Sequence, residues 1–449
     1  MSRAPRSHNR REFLRDTGLG LAGATVAPAL RARADAPPGD DRPKVAAVVT
    51  EFRFHSHAHV ILENFLEPYL FNGQKTDPGC DVVGLYVDQF PPGDMARDVA
   101  KRYGIPIYPT IAGALTLGGK TLAVDGVLSI GEHGDYPVNA KGQREYPRKR
   151  FFDEIVAVFE KSGRTAPVFN DKHLSYRWDW AREMVDAARR LEVPFLAGSS
   201  VPLAQRRPPR ELPAGAEIRE VVSIHGGPVE SYDFHGLEVL QSLVEARRGG
   251  EAGVARVQFL AGEALWEAAD AGLWSVSLAD AALAAELGPG QPTLRELLRQ
   301  PRYGGEPPHG ILLTYRDGLR AIVLKVGSSA IRWDFACRLA GEDRPLATSF
   351  YVGPWQNRNL FKALAHAIQV FFRRKRAPYP VERTLLTTGV LDAAMDSRFA
   401  GGKPLDTPHL AVAYEPADFR AVREMGATWS ILSEETPEPP GIDTTGRRH

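Results

Sequence analysis

A chain of 449 residues whose 56 lysines and arginines nearly cancel 55 aspartates and glutamates carries a net charge of +1. That length exceeds what one compact core organises and implies two domains with appendages, while the near-neutral charge removes any general electrostatic reason for a nucleic-acid or anionic-membrane partner and suits a neutral small molecule. The two cysteines, Cys80 and Cys337, form no CxxC, so neither a thiolate metal site nor a disulfide framework is indicated, and two buried thiols or one disulfide both satisfy the sequence.

Arg10-Arg11-Glu12-Phe13-Leu14-Arg15 precedes an apolar run from Leu19 to Leu30 that ends near Ala34-Asp35-Ala36. This resembles a twin-arginine export signal, and the run falls short of the roughly 20 residues that cross a bilayer. Residues 1–36 are therefore read as a removable signal, which implies a periplasmic or extracytoplasmic location and no stable membrane anchor. Lys44 to Thr50 then reads as a buried strand, because it is short, apolar and rich in β-branched residues. A helix is predicted over His57–Leu70, a second strand over Asp81–Asp88, a helix over Met95–Tyr103 closed by Gly104 and Pro106, a third strand over Val124–Ile130 and a fourth over Thr165–Asn170. Helices over Phe151–Lys161 and Trp178–Leu191 complete an alternation that means a Rossmann-like, doubly wound parallel sheet over residues 43–197.

After Pro194-Phe195-Leu196-Ala197-Gly198 the rhythm changes. Strands are predicted over Ile218–Ile224, Gly310–Tyr315, Ala321–Val326, Ile331–Leu339 and Leu346–Val352, with turns such as Arg316-Asp317-Gly318 between them. Residues 198–378 thus read as an α+β domain whose mostly antiparallel open sheet is covered on one face by helices over Leu237–Arg248, Ala261–Ala271 and Leu360–Arg373. Residues 379–433 read as a closing helix returning to the first domain, and 434–449, rich in Pro, Thr and charge, as a flexible tail.

Three stretches carry a resemblance. Val168-Phe169-Asn170-Asp171-Lys172-His173-Leu174 is similar to the strand ending in Glu-Lys-Pro, Ser231-Tyr232-Asp233-Phe234-His235-Gly236-Leu237-Glu238 to the Asp-x-Gly-x-His-x-x-Asp motif, and Ala377 to Glu382 with Gly401-Gly402-Lys403-Pro404 to the closing helix, of the glucose-fructose oxidoreductase / inositol dehydrogenase (Gfo/Idh/MocA) family. The resemblance implies an oxidoreductase that uses NAD or NADP on a sugar, polyol or carbohydrate derivative, and a homo-oligomer packed through the open sheet. It places Lys172 at the family's catalytic lysine, beside the forming oxyanion, and His235 at its proton-carrying histidine. The family's aspartate falls on Ser231, so Asp233 is a partial substitute, and His173 stands where the family has proline.

A dinucleotide loop needs glycines after its first strand, so that the backbone meets the pyrophosphate at a helix N-terminus. In Thr50-Glu51-Phe52-Arg53-Phe54-His55-Ser56-His57-Ala58-His59 those positions fall on Glu51, Arg53 and Ser56, none a glycine. Thr50, Arg53 and Ser56 remain candidates to touch the phosphates, Asp88 the ribose, and Glu132 and His133 the ligand at the carboxyl edge of the third strand. His55, His57 and His59 invite a metal reading. On a strand they would spread over about 13 Å at roughly 3.3 Å per residue, whereas on a helix His55 and His59 share a face and recruit Glu132, His133 or Asp135. The rival function is therefore non-redox: a metal-assisted hydrolase or lyase, or a carbohydrate-binding scaffold. Trp266, Trp274, Trp333 and Trp355 are candidates for sugar-stacking faces or for plain core.

Overall fold

The computed structural model describes residues 42–443, and the signal reading of residues 1–36 lies outside them. The chain runs β1 (Lys44–Val49), α1 (His57–Leu66), a hairpin of β2 (Tyr69–Phe71) and β3 (Gln74–Thr76), β4 (Asp81–Val87), α2 (Ala96–Tyr103), β5 (Ile107–Tyr108), α3 (Ile111–Thr116), β6 (Gly126–Ile130), α4 (Arg148–Ser162), β7 (Val168–Asp171), α5 (Trp178–Arg190) and β8 (Phe195–Gly198). Six of these strands pair in parallel in the order β5-β4-β1-β6-β7-β8. Central β1 is buried from Val45 to Val49, as a strand with helices on both faces has to be. The first helix stops at Leu66, earlier than its apolar pattern suggests, because Pro68 follows and the chain turns into the β2–β3 hairpin.

The second half contributes β9 (Gln205–Arg207), β10 (Ile218–Gly226), α6 (Ser231–Val244), β11 (Val254–Ala261), α7 (Glu263–Asp270), α8 (Val276–Leu287), α9 (Leu294–Leu297), α10 (Pro301–Gly304), β12 (His309–Tyr315), β13 (Arg320–Lys325), β14 (Ser329–Leu339), β15 (Leu346–Tyr351), α11 (Asn357–Arg374), α12 (Glu382–Phe399) and β16 (Leu405–Asp406). Eight strands form a sheet in the order β16-β11-β12-β13-β10-β14-β15-β9, antiparallel except where β10 runs beside β13. The architecture is therefore the expected one, a Rossmann-like parallel sheet followed by a mostly antiparallel sheet with helices.

Helices cover both faces of the second sheet, where the sequence reading allowed for one. Val221 and Val323 join the core shared with the first sheet, while Val222, Ile224, Ile322 and Leu324 pack with Leu278, Ala282 and Leu283 of α8 in a separate core. Residues of both parities are apolar along β10 and β13, which is the signature of a strand buried on both sides. Helix α8 covers β10, β14 and β15 on this second face.

Strand β11 was not anticipated, since its Val254-Ala-Arg-Val-Gln-Phe pattern lies beside a stronger helical one. Helix α6 begins six residues before Leu237, because Glu230 and Asp233 form a capping box across its first turn. Asp233 and His235 are therefore helical. Cys80 and Cys337 are separate buried thiols. Of the stretch read as a flexible tail, the described part is held to the body: Glu434 accepts from the Tyr351 hydroxyl at 2.5 Å, Glu438 pairs with Arg358 at 2.9 Å, and Ile442 is fully buried. Among the described residues no helix is long and apolar enough to cross a membrane.

Candidate active site

The carboxyl edge of a parallel sheet is where loops converge and ligands bind. Here β6 delivers Glu132 and His133, β7 delivers Asp171, Lys172 and His173, and β8 is followed by Ser199 and Ser200. The first turn of α6 brings Glu230, Ser231, Tyr232 and His235 from the other sheet. A cavity of about 350 Å³ lies between them, lined by His57, Glu132, His133, Lys172, Glu230 and His235 with Tyr232, Trp333 and Phe361. His133, Lys172 and Glu230 all adopt positive φ, at 70°, 64° and 70°. Strain of this kind in non-glycine residues persists where the surroundings enforce it, and three cases around one cavity mark a functional site.

Lys172 is buried, its Nζ 3.2 Å from Glu132 Oε1 and 3.4 Å from the Ser231 carbonyl. Glu132 also pairs with Arg148. Burial raises the Glu132 pKa, but Lys172 and Arg148 outweigh it and hold the carboxyl well below its ordinary value, hence ionised. Burial, reinforced by Lys172 and His57, pushes His235 well below an ordinary imidazole. Its Nδ1 lies 2.5 Å from Ser199 Oγ. His235 is thus neutral in this environment and lies on the cavity, its Nδ1 side taken by Ser199. Burial with His57 likewise lowers His133 to about 4, and burial with Arg148 lowers His173 well below its ordinary value.

Glu230 is the titratable group that the sequence reading missed. One carboxylate oxygen caps α6, and the other, Oε1, has no hydrogen-bond partner and stands 3.5 Å from His173 Nε2. Burial raises its pKa to about 7, against Arg148 and Lys172, which lower it, and with Glu132 and Asp233, which raise it. Its folded value therefore lies above the unfolded one, near 4.3, so folding binds a proton and stability falls as pH rises through that window. Glu230→Gln is expected to lose less stability than the parent between about pH 5 and about pH 7.5, measured by urea unfolding. Equal losses would mean that this carboxyl ionises freely.

Asp233, a candidate for substrate contact, does not line the cavity. Its Oδ1 takes His225 Nε2 at 2.9 Å and His309 Nε2 at 2.8 Å, and its Oδ2 accepts from Glu230 N at 2.8 Å. Against its burial, His309 and His225 hold it far below the carboxylate range. His225, Asp233 and His309 have metal-ligand spacing, yet Gly227 N donates to His225 Nδ1 at 3.3 Å. That puts the ring proton on Nε2, where it donates to Asp233, so hydrogen bonding accounts for the cluster. His173 lies behind the cavity wall, where its Nε2 meets Arg148 at 3.0 Å. Gly227 is where Tyr232 packs: a Cβ there would stand 1.9 Å from the ring. That close approach lets Tyr232 stack on Trp333, centroids 5.1 Å apart, as an apolar cavity wall.

The three histidines of the first loop do not form one cluster: His55 and His59 stack, centroids 6.1 Å apart, while His57 pairs with Asp171. His55 Nε2 meets Glu438 at 3.0 Å, His57 Nδ1 meets Asp171 at 2.6 Å, and His59 Nδ1 accepts from His55 N at 2.9 Å. Among the described residues His55 and His59 belong to no group of three side chains close enough to share an ion.

The dinucleotide expected from the resemblance has a poor cradle. The amides of Arg53 and His59 donate to Ser56 Oγ, that of His55 to His59 Nδ1 and that of Ser56 to the Arg53 carbonyl. Thr50 donates its hydroxyl to the Glu132 carbonyl, and Arg53 pairs at 2.5 Å with Glu51, which is buried at a glycine position. Asp88 accepts from the hydroxyls of Tyr86 and Tyr136 and from Arg150, at 2.6, 2.7 and 2.7 Å. As folded, Thr50, Arg53, Ser56 and Asp88 are committed to protein partners and do not fit a dinucleotide in that place.

No protein-family model matches this sequence, and no curated protein does. Solved structures do match. The chain is similar to GenD2 from gentamicin A biosynthesis, solved in complex with NAD, at 13% identity and a TM-score of 0.51, over 83% of this chain and 99% of that one. It is similar to myo-inositol dehydrogenase from Lactobacillus casei, solved with NAD(H) and myo-inositol, at 14% identity and a TM-score of 0.50, over 84% and 99%. The fold is that of these dehydrogenases. At such identity the likeness speaks for the architecture, and function has to be argued from the site.

Proposed function

We propose that this chain is an enzyme acting on a sugar, polyol or related carbohydrate derivative at a hydroxyl-bearing carbon. The observation that carries this is the convergence of Lys172, at the end of β7, and His235, on α6, on one cavity of about 350 Å³, at the lower end of small-molecule sites. The Lys172 ammonium, held by ionised Glu132, binds a substrate oxygen and stabilises negative charge developing on it. Neutral His235 hydrogen-bonds a neighbouring hydroxyl, and the stacked Tyr232 and Trp333 rings offer an apolar wall to the sugar's C–H face.

The likeness to inositol and sugar dehydrogenases supports an oxidoreductase of the Gfo/Idh/MocA kind, to which a nicotinamide would supply hydride exchange. A specific observation favours a second reading, a redox-neutral conversion of the same substrates: the amides and the acid that would hold a dinucleotide already have partners. The twin-arginine pattern supports work outside the cytoplasm.

One experiment separates the readings. Purified protein is incubated with myo-inositol, other polyols and simple sugars, with NAD, with NADP and with neither. Reduced nucleotide absorbance identifies the dehydrogenase, and conversion without nucleotide identifies the redox-neutral enzyme. No conversion of any compound, together with no calorimetric binding, refutes a carbohydrate substrate.

A further inference from the structure

The geometry points to a nucleotide-free activity: with His57 as base and Asp171 as its positioning partner, the cavity removes a proton from the carbon beside the carbonyl of a keto-sugar. This rests on the carbohydrate reading above and deepens it.

His57 is the first residue of α1, and Asp171 is the last of β7, two strands away from β1 in the same sheet. The carboxylate Oδ2 lies 2.6 Å from His57 Nδ1, with both side chains buried. A buried carboxylate on one ring nitrogen fixes the tautomer and stabilises the imidazolium that forms when the other nitrogen accepts a proton. That other nitrogen, Nε2, has no hydrogen-bond partner among the described residues, and His57 lines the cavity. Edge contacts with His133, centroids 5.1 Å apart, and Phe361, 4.6 Å apart, hold the ring from two sides.

The pair joins the loop after β1 to the end of β7, at the carboxyl edge where ligands of parallel sheets bind. Lys172, adjacent in sequence to Asp171, supplies the positive charge for the oxygen of the same substrate.

The step balances without a cofactor. The C–H bond beside the carbonyl breaks and an N–H bond forms at His57 Nε2. The C–H electron pair becomes the carbon–carbon double bond of an enolate, and the carbonyl π pair moves to oxygen, beside the Lys172 ammonium. Return of the proton to the same carbon from the opposite face gives an epimer. Where that carbon bears a hydroxyl, transfer of the hydroxyl proton to the enolate oxygen, with protonation of the former carbonyl carbon and a new carbonyl at the hydroxyl-bearing carbon, gives an isomer, and neither outcome is a net oxidation.

The test follows exchange of the carbon-bound proton of D-fructose and of a keto-inositol in deuterium oxide by NMR, with no nucleotide added. The parent protein is expected to catalyse exchange, His57→Gln to lower the rate by about 100-fold or more, and Asp171→Asn by about 10-fold or more. Asp171→Asn should also abolish the far-downfield Nδ1–H resonance of His57 and displace the pH profile, changes that packing damage alone would not produce. Thermal unfolding of each variant establishes that it is folded. Exchange in His57→Gln within about threefold of the parent would overturn the assignment of the base while the carbohydrate reading stands. If both ketones bind by calorimetry yet do not exchange, or if neither binds while a polyol or sugar of the wider panel does, the proton-transfer activity is wrong and the substrate class survives; if no compound of the panel binds, both fail.

Discussion

Replacing Lys172 by methionine is expected to lower kcat/KM by about 10²–10³-fold, the effect of deleting one preorganised charge beside a developing oxyanion. Methionine keeps most of the side chain's length and removes only the ammonium. Glu132 keeps Arg148 as its ion-pair partner, so no carboxylate is left bare in the interior. The fold should survive, since the backbone at Lys172 is set by the bridge to Gly198 rather than by the side chain. Steady-state kinetics on whichever compound is converted provides the measurement, whether or not that conversion uses a nucleotide. A loss smaller than tenfold would remove Lys172 from the chemistry and reduce its ion pair with Glu132 to architecture.

The largest effect on stability is expected away from the cavity, at Arg383. This residue of α12 is fully buried and pairs with Glu245, at the end of α6, at 2.5 Å and 2.8 Å. Its guanidinium also lies over the rings of Tyr379 and Phe419, 4.4 Å and 4.5 Å from their centroids. Arg383→Ala removes the cation and leaves Glu245, among the described residues, with the Tyr414 hydroxyl at 2.9 Å as its side-chain partner. Leaving one buried charge without its partner costs about 3–5 kcal/mol, read from the midpoint of urea unfolding. Replacing Arg383 by methionine and Glu245 by leucine together should recover most of that loss, because the desolvation of both ions disappears as well. If Arg383→Ala costs less than about 1 kcal/mol, the two elements are not held by this pair.

Local pattern was enough to show the two sheets. Runs such as Lys44–Thr50 and Asp81–Val87 are apolar over the right length, and the change from alternating strands and helices to successive strands is visible near Gly198. The same pattern was blind wherever an element's identity rests on a partner distant in sequence. Strand β11 is fixed by pairing with β12, and the second face of the sheet is closed by α8, whose apolar residues carry no sign of which sheet they serve.

For the site, the sequence by itself showed that the β1 loop lacks glycines, and only its resemblance to a known family marked Lys172 and His235 as a pair. Spacing alone offered the histidines at 55, 57 and 59 as one cluster. Tertiary structure separated His57, paired with Asp171, from His55 and His59, which stack on each other, because α1 begins at His57 and turns neighbouring side chains in different directions. It also tied Asp233 to His225 and His309, and placed Glu230 in a desolvated position that its sequence neighbours do not betray. Whether an ionisable side chain is free to meet a ligand depends on which groups the other sheet brings within 3 or 4 Å of it, and that is decided only when the chain closes on itself.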